Sequence, residues 1–211
     1  MAEPRESHRS EAQLRAQLGA FNEATLTITA ELALDRVLQR IVHLARELAN
    51  ARYAALGIPS ANGGLEQFLT SGMDEAQVAR MESLPEGKGL LGALMRSTRP
   101  IRVPRIADDP RSVGFCENHP VMTSFLGVPI ISQGTLLGTL YLTDKISADE
   151  FSEDDEQLIV MLAAHAAIAI ENARLYQQVQ RLAVLEELER IGMYLQDGII
   201  QSIYEVGLML E

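Results

Sequence analysis

The sequence predicts an α+β chain, with helices at both ends around a middle of short strands that turn back on one another. Three observations predict it. Apolar residues recur at helical spacing between residues 34 and 49, and again from residue 152 onward, where no proline follows. Short apolar runs fill the middle, separated by Gly, Pro and Asn. Two of those runs, 125–131 and 136–143, flank Gln133-Gly134 as the arms of a hairpin do.

Composition narrows the function classes. The chain has 211 residues, 47% of them hydrophobic, which suffices for one sizeable core with helical extensions. Charged residues make up 22%, which argues against wholesale disorder. A net charge of -11 repels phosphate backbones, so nucleic acid is not an expected partner. Cys116 is the single cysteine and precludes an intramolecular disulfide. This fits a reducing, cytoplasmic setting. Residues 1–10 are polar, carry both charge signs and lack the apolar stretch of a secretory signal. The longest apolar run, 159–170, is interrupted by His165 and falls short of the roughly 20 residues a bilayer requires. A buried helix, not a membrane span, is expected there.

Element by element, Leu14, Leu18 and Phe21 mark a helical stripe over 11–24. Leu34, Leu38, Ile41 and Leu48, widened by Val37 and Leu44, mark a core-packed helix over 34–49. Residues 53–58 read as a strand, 61–64 as its turn and 65–70 as the partner strand. Residues 74–84 read as helical. After the Pro85–Gly89 punctuation comes a short helix with Leu90, Leu91, Leu94 and Met95, then a strand at 101–103 closed by Pro104. The stretch 105–123 has no period, and a loop of that length in a compact domain is expected to be functional or disordered. Ser152, followed by Glu153, Asp154 and Asp155, opens the last helix with a hydroxyl cap, a carboxylate at the third helical position and acids in the first turn. The stripe Ile168, Leu175, Val179, Leu182, Leu185 and Leu188 mixes three- and four-residue steps. That suits a helix that pairs with another helix.

The run Phe125-Leu126-Gly127-Val128-Pro129-Ile130, followed by 134–142, resembles the central hairpin of GAF domains. So does the ending Phe151-Ser152-Glu153-Asp154-Asp155 with Ala166 to Tyr176. The resemblance spans 34–176. It implies a GAF fold with a central antiparallel sheet of five to six strands, helices on one face and a ligand pocket on the other. A narrower resemblance rests on 83–89, 112–115, 119–129 and Leu140-Tyr141-Leu142-Thr143-Asp144-Lys145. These segments look like the first GAF domain of the mycobacterial dormancy sensor kinases, which hold haem b and sense diatomic gas or redox state. On that resemblance His119 is the proximal iron ligand and Tyr141 lies on the distal side. Met122, Phe125 and Leu126 supply apolar wall. The chemistry is coherent: haem iron wants a neutral imidazole with its other ring nitrogen tied to an acceptor, and a phenol can donate to a bound ligand. Taken by themselves, a histidine before a proline in a loop is a turn or surface residue. A tyrosine on an apolar strand is half-buried packing.

Other residues carry less. His8 lies in a polar tail, His43 is on a helix and reads as interfacial, and His165 reads as a satisfied core histidine. Cys116 and His119 form one pair, whereas structural zinc takes about four ligands. Cys116 raises bilin attachment, but Glu117 follows where GAF photoreceptors usually have histidine. Asp144-Lys145 with Phe151 faintly echoes a motif of cyclic-nucleotide-binding GAF domains. A methionine-sulfoxide-reductase activity, known in some GAF folds, needs several cysteines. Gly87-Lys88-Gly89 is too short for a phosphate-binding loop.

Residues 189–204 resemble the phosphoacceptor helix of histidine kinases, but Gln196 stands at the histidine position and Tyr194 replaces an acid. An amide cannot form the phosphoramidate, and no nucleotide-binding motif is present, so no enzyme activity is expected. The chain thus divides into an N-terminal tail and helix (1–30), a GAF sensory domain (31–176) and a signalling helix with a degenerate phosphoacceptor region (177–211). The expected function is a haem-based gas or redox sensor of the two-component type. It would be a homodimer through its terminal helices, with a kinase or response regulator as further partner. The alternative is a GAF regulatory module without haem, its pocket empty or holding a metabolite or cyclic nucleotide.

Overall fold

The computed structural model describes residues 19, 28, 31–60, 64–74, 87–115 and 119–208. The helix expected over 11–24 falls almost wholly outside them, as do most of the 61–64 turn, the helix expected over 74–84, His8 and Cys116. The described elements are α1 (Leu34–Leu48), β1 (Ala51–Pro59), β2 (Leu65–Ser71), α2 (Gly89–Met95), β3 (Ile101–Val103), β4 (Phe125–Ser132), β5 (Thr135–Lys145) and α3 (Glu153–Leu208). A 3-10 turn at Ile106–Asp108, which the sequence pattern does not mark, follows β3.

The strands form one five-stranded sheet in the order β2-β1-β5-β4-β3, with every neighbouring pair antiparallel. The β4–β5 hairpin turns at Gln133 and Gly134, both at positive φ (48° and 81°). That is the primed turn whose twist matches paired strands. Glycine adopts it freely, whereas Gln133 is held there by the ladder on either side, Ser132 opposite Thr135.

Alternation along the strands splits the apolar residues between two cores. One face carries Leu56, Leu126, Val128, Leu140 and Leu142. It packs against Val37, Leu38, Ile41 and Val42 of α1 and against Ile159, Leu162 and Ile170 of α3. The small residues Ala163, Ala166, Ala169 and Ala173 share that core, and their size lets a helix backbone approach a sheet closely. Burying each large aliphatic chain there is worth about 1.5–3 kcal/mol. Within Glu153–Tyr194 one segment is long and apolar enough to cross a membrane, and 44% of it is buried in the fold. The opposite face carries Tyr53, Ala55, Phe125 and Tyr141, covered by Leu90 and Leu94 of α2 and by Val103, Ile106 and Met122.

The first turn of α3 is anchored twice. Ser152 and Asp155 form a reciprocal cap: Asp155 N donates to Ser152 Oγ (3.1 Å), and Ser152 N donates to Asp155 Oδ2 (2.9 Å). Lys145 Nζ, at the end of β5, donates to Asp155 Oδ1 (2.7 Å) and to Ala49 O at the end of α1 (2.9 Å). Both side chains of this pair are largely buried, at 11% and 14% exposure. Removing one partner of a buried pair costs on the order of 3 kcal/mol, because the other charge is left without compensation. From β3, Arg102 Nε reaches Glu156 Oε2 (3.2 Å) and its Nη1 reaches Phe151 O (3.2 Å).

The described chain forms two compact units, 1–173 and 174–211. The second is the remainder of α3. On it Leu175, Val179, Leu182, Leu185, Leu188 and Ile191 are exposed.

Gly127 of β4 marks the closest approach of α2 to the sheet. A Cβ there would lie 2.7 Å from Leu94 Cδ2 and 2.8 Å from Phe125 Cε1. Gly127→Ala is expected to force both side chains aside and to destabilise the fold by about 1–3 kcal/mol. A lowered urea midpoint at unchanged m-value checks it.

Candidate functional site

The face opposite the long helices gathers most of the residues that the sequence singles out. Tyr141 is central to it. Strand parity points its ring away from α1 and α3, and it is only 4% exposed. Phe125 lies 6.3 Å from it and Phe68 6.2 Å, centroid to centroid, both tilted. These are favourable aromatic separations. Met122, also buried, joins the same cluster.

Leu126 does not join it. Adjacent strand residues point to opposite faces, so with Phe125 on the Tyr141 face, Leu126 is buried in the core beneath α1 and α3. The expectation that Leu126 lines the same wall as Phe125 is corrected by this parity. His165 is corrected as well: it is half-buried on α3 and not a core residue. His43 sits at the surface of α1, with Nδ1 3.3 Å from Ser71 Oγ and Nε2 3.1 Å from Glu47 Oε1.

Strand alternation along β5 adds two residues that carry no motif of their own. Thr139 and Thr143 share the face of Tyr141. The buried Thr139 Oγ1 donates to the Tyr141 hydroxyl at 2.6 Å. Thr143 Oγ1 donates to Met122 Sδ at 3.0 Å. Burial pushes the Tyr141 phenol up to about 12, and the Thr139 hydrogen bond partly opposes that rise. The phenol is therefore neutral across the physiological range. Thr139 Oγ1 also lies 3.4 Å from Gly57 O, so its one proton serves two neighbouring acceptors.

His119 is half-buried beside this face's loop. Its ring stacks on Phe115, with centroids 5.0 Å apart and planes at 14°. His119 Nδ1 lies 2.7 Å from Pro120 O. A carbonyl oxygen only accepts, so Nδ1 carries a proton. In the neutral ring the lone pair is then on Nε2, the arrangement that suits a metal ligand with its other nitrogen tied down. Among the described residues no group of three or more His, Cys, Asp and Glu side chains could hold a metal ion. Coordination by protein side chains alone thus finds no cluster there. The face offers one neutral phenol and an apolar, sulfur-containing wall, and the His119 imidazole lies outside that buried cluster, in the adjoining loop against Phe115 and Pro120 O.

Comparison with known proteins gives concordant results. A GAF domain family model matches residues 33–170. The hybrid signal transduction histidine kinase G of Dictyostelium discoideum is 32% identical over 39% of this chain and 3% of its own length. The dual 3',5'-cyclic-AMP and -GMP phosphodiesterase 11 of Drosophila melanogaster is 25% identical over 96% of this chain and 15% of its own length. The chain therefore spans a small part of either relative. Among solved structures, the GAF domain of a phosphoenolpyruvate-protein phosphotransferase from Coxiella burnetii is 29% identical with a TM-score of 0.66, covering 77% of this chain and 96% of that one.

The buried phenol yields a pH prediction. Tyr141 holds its proton more tightly folded, near 12, than unfolded, near 10. Its contribution to stability is fully present below pH 10 and is lost as pH rises toward 12, by about 2–3 kcal/mol. Phenolate absorbance should show one late-titrating tyrosine that disappears in Tyr141→Phe. Thr139→Val should push that titration later still, because the donor that favours the phenolate is gone.

Proposed function

This chain belongs to the GAF domain family, and from that premise we propose that it is a haem-based sensor of diatomic gas or redox state in a two-component-type pathway. A signal-sensing role is consistent with the family and with its histidine-kinase relative. The haem reading goes further. The observation that carries it is the imidazole of His119, whose Nδ1–H is committed to Pro120 O and whose Nε2 is left as the free donor. That donor set fits haem b, which asks of the protein one neutral imidazole and an apolar wall. A bound haem supplies an iron that takes a diatomic ligand or changes oxidation state.

The residues of this chain then have distinct tasks. His119 would hold the metal through Nε2, its tautomer fixed by Pro120 O. Phe125 and Met122 exclude water. Tyr141, kept neutral by burial, offers a hydrogen bond to a polar ligand. In the same reading the chain is cytoplasmic and works as a homodimer. The exposed apolar row on 174–194 supports pairing with a second helix. A kinase or response regulator is its further partner. The chain itself transfers no phosphate, since exposed Gln196 offers no nucleophilic imidazole.

A second reading, a regulatory GAF module without haem, rests on a different observation. The face around Tyr141 is occupied by Tyr53, Leu90, Leu94, Val103 and Phe125 of the chain itself, and the phenol already has a partner in Thr139. Such a module binds a small metabolite or cyclic nucleotide, or works with a filled pocket.

Absorption spectra of protein expressed with haem precursor, before and after dithionite, separate the two. The haem reading expects a Soret band that shifts on reduction and collapses in His119→Ala while the fold, followed by circular dichroism, persists. A colourless protein after haem reconstitution, or a band indifferent to His119→Ala, would sink it.

A further inference from the structure

Two consecutive residues at the end of β5 hold opposite sides of the domain. Asp144 holds the loop that carries His119 and Met122. Its Oδ1 accepts from Thr123 N (2.7 Å) and Thr123 Oγ1 (2.9 Å), and its own N donates to Ser124 O (3.1 Å). Lys145 N adds a bond to Ser124 Oγ (3.2 Å), and Thr143 Oγ1 grips Met122 Sδ (3.0 Å). The segment 122–124 is thereby tied to 143–145 at every residue. Lys145 then reaches the other way, with Nζ on Asp155 of α3 and on Ala49 O of α1. Ile146 N follows with a bond to Asn50 O (2.9 Å).

The backbone between these grips is not relaxed. Asp144 has φ 57°, in the left-handed region that non-glycine residues rarely occupy. Aspartate tolerates that region better than most, but the conformation persists only where surrounding bonds fix it. The carboxylate contacts to Thr123 are such bonds. If the loop shifts and Thr123 leaves Asp144, this constraint is released at the residue next to Lys145. The ammonium is then no longer aimed at Asp155 by the same backbone.

We propose that Asp144-Lys145 is a coupling element, through which the position of the 119–124 loop sets how firmly the first turn of α3 is held. The proposal deepens the sensing reading by naming a regulatory link from the candidate ligand loop to the output helix. It rests on that reading only for what moves the loop. Arg102 supplies a contrast, because its side chain holds the same turn of α3 from β3 through Glu156 and Phe151 O, while the bond from that side of the fold to the loop is a separate one, Ile106 N to Thr123 O (2.7 Å).

Amide hydrogen exchange on the full chain without haem tests the link in both directions. Asp144→Ala should speed exchange at 121–124 and, remotely, at 155–158 of α3, each roughly tenfold, as expected for loss of about one charge-assisted hydrogen bond. Lys145→Met should do the same in reverse, speeding 155–158 directly and 121–124 remotely. Arg102→Gln should speed 155–158 alone. Thr123→Val, which removes one loop bond and leaves Asp144 in place, should give a smaller change in the same two segments. It also serves as the test if Asp144→Ala unfolds, which faster exchange throughout β1 and β4 would reveal. An effect of Asp144→Ala or Thr123→Val confined to 121–124 overturns the coupling, and so does an Arg102→Gln variant that loosens the loop equally. No arm uses haem, so a colourless protein leaves this result standing, and failure here leaves the spectral test untouched.

Discussion

Lys145 holds together the parts of the domain that the sheet alone cannot align. Its ammonium sits between the Asp155 carboxylate and the last carbonyls of α1, where both the ion pair and the negative end of the helix dipole favour a cation. A buried charge in such a place persists only when its hydrogen bonds are satisfied, and here three elements must meet correctly to satisfy it. The cap formed by Ser152 and Asp155 follows from the same demand. One oxygen of the Asp155 carboxylate serves the start of its own helix while the other serves Lys145. The start of α3 and the end of α1 are thus set against a single strand terminus.

From that frame the sheet divides the chain's apolar residues by parity. The face under α1 and α3 is filled with aliphatic chains and alanines and holds the larger of the two buried clusters. The other face is aromatic, carries sulfur and hydroxyls, and is covered by a short helix and a loop. Such a face is suited to a ligand. Its polar groups, Thr139, Tyr141 and Thr143, all find partners within hydrogen-bond reach, so the surface is ordered before any ligand arrives. A neutral phenol and an imidazole with a defined tautomer are specific chemical resources. The phenol owes its neutrality to burial, and the imidazole owes its tautomer to Pro120 O.

Much of this was legible beforehand. The hairpin at Gln133-Gly134, the strand at 101–103 and the helix opening at Ser152 were readable because turn chemistry and capping act over a few residues and leave a local imprint. The site was legible only in part. Tyr141, Phe125 and Met122 pack in one cluster, Phe125 and Tyr141 through strand parity. Leu126 was misassigned with its neighbour Phe125 because a motif read as a string ignores that a strand alternates. His165 looked like core within an alanine-rich helix but lies at the edge of the buried stripe. Thr139 and Thr143 bear no motif of their own, and only their two-residue spacing from Tyr141 pointed to them.

The sequence by itself determined the α+β class, the order of the described helices and strands, and the acidic, cysteine-poor surface chemistry, because periodicity, capping and composition are properties of neighbouring residues. Only the tertiary structure decided which strands are neighbours, which face Tyr141 looks onto, and that Lys145 meets both Asp155 and Ala49. Those outcomes depend on register and on contacts between residues as much as 96 positions apart, and a long-range contact leaves no local pattern in the chain that makes it.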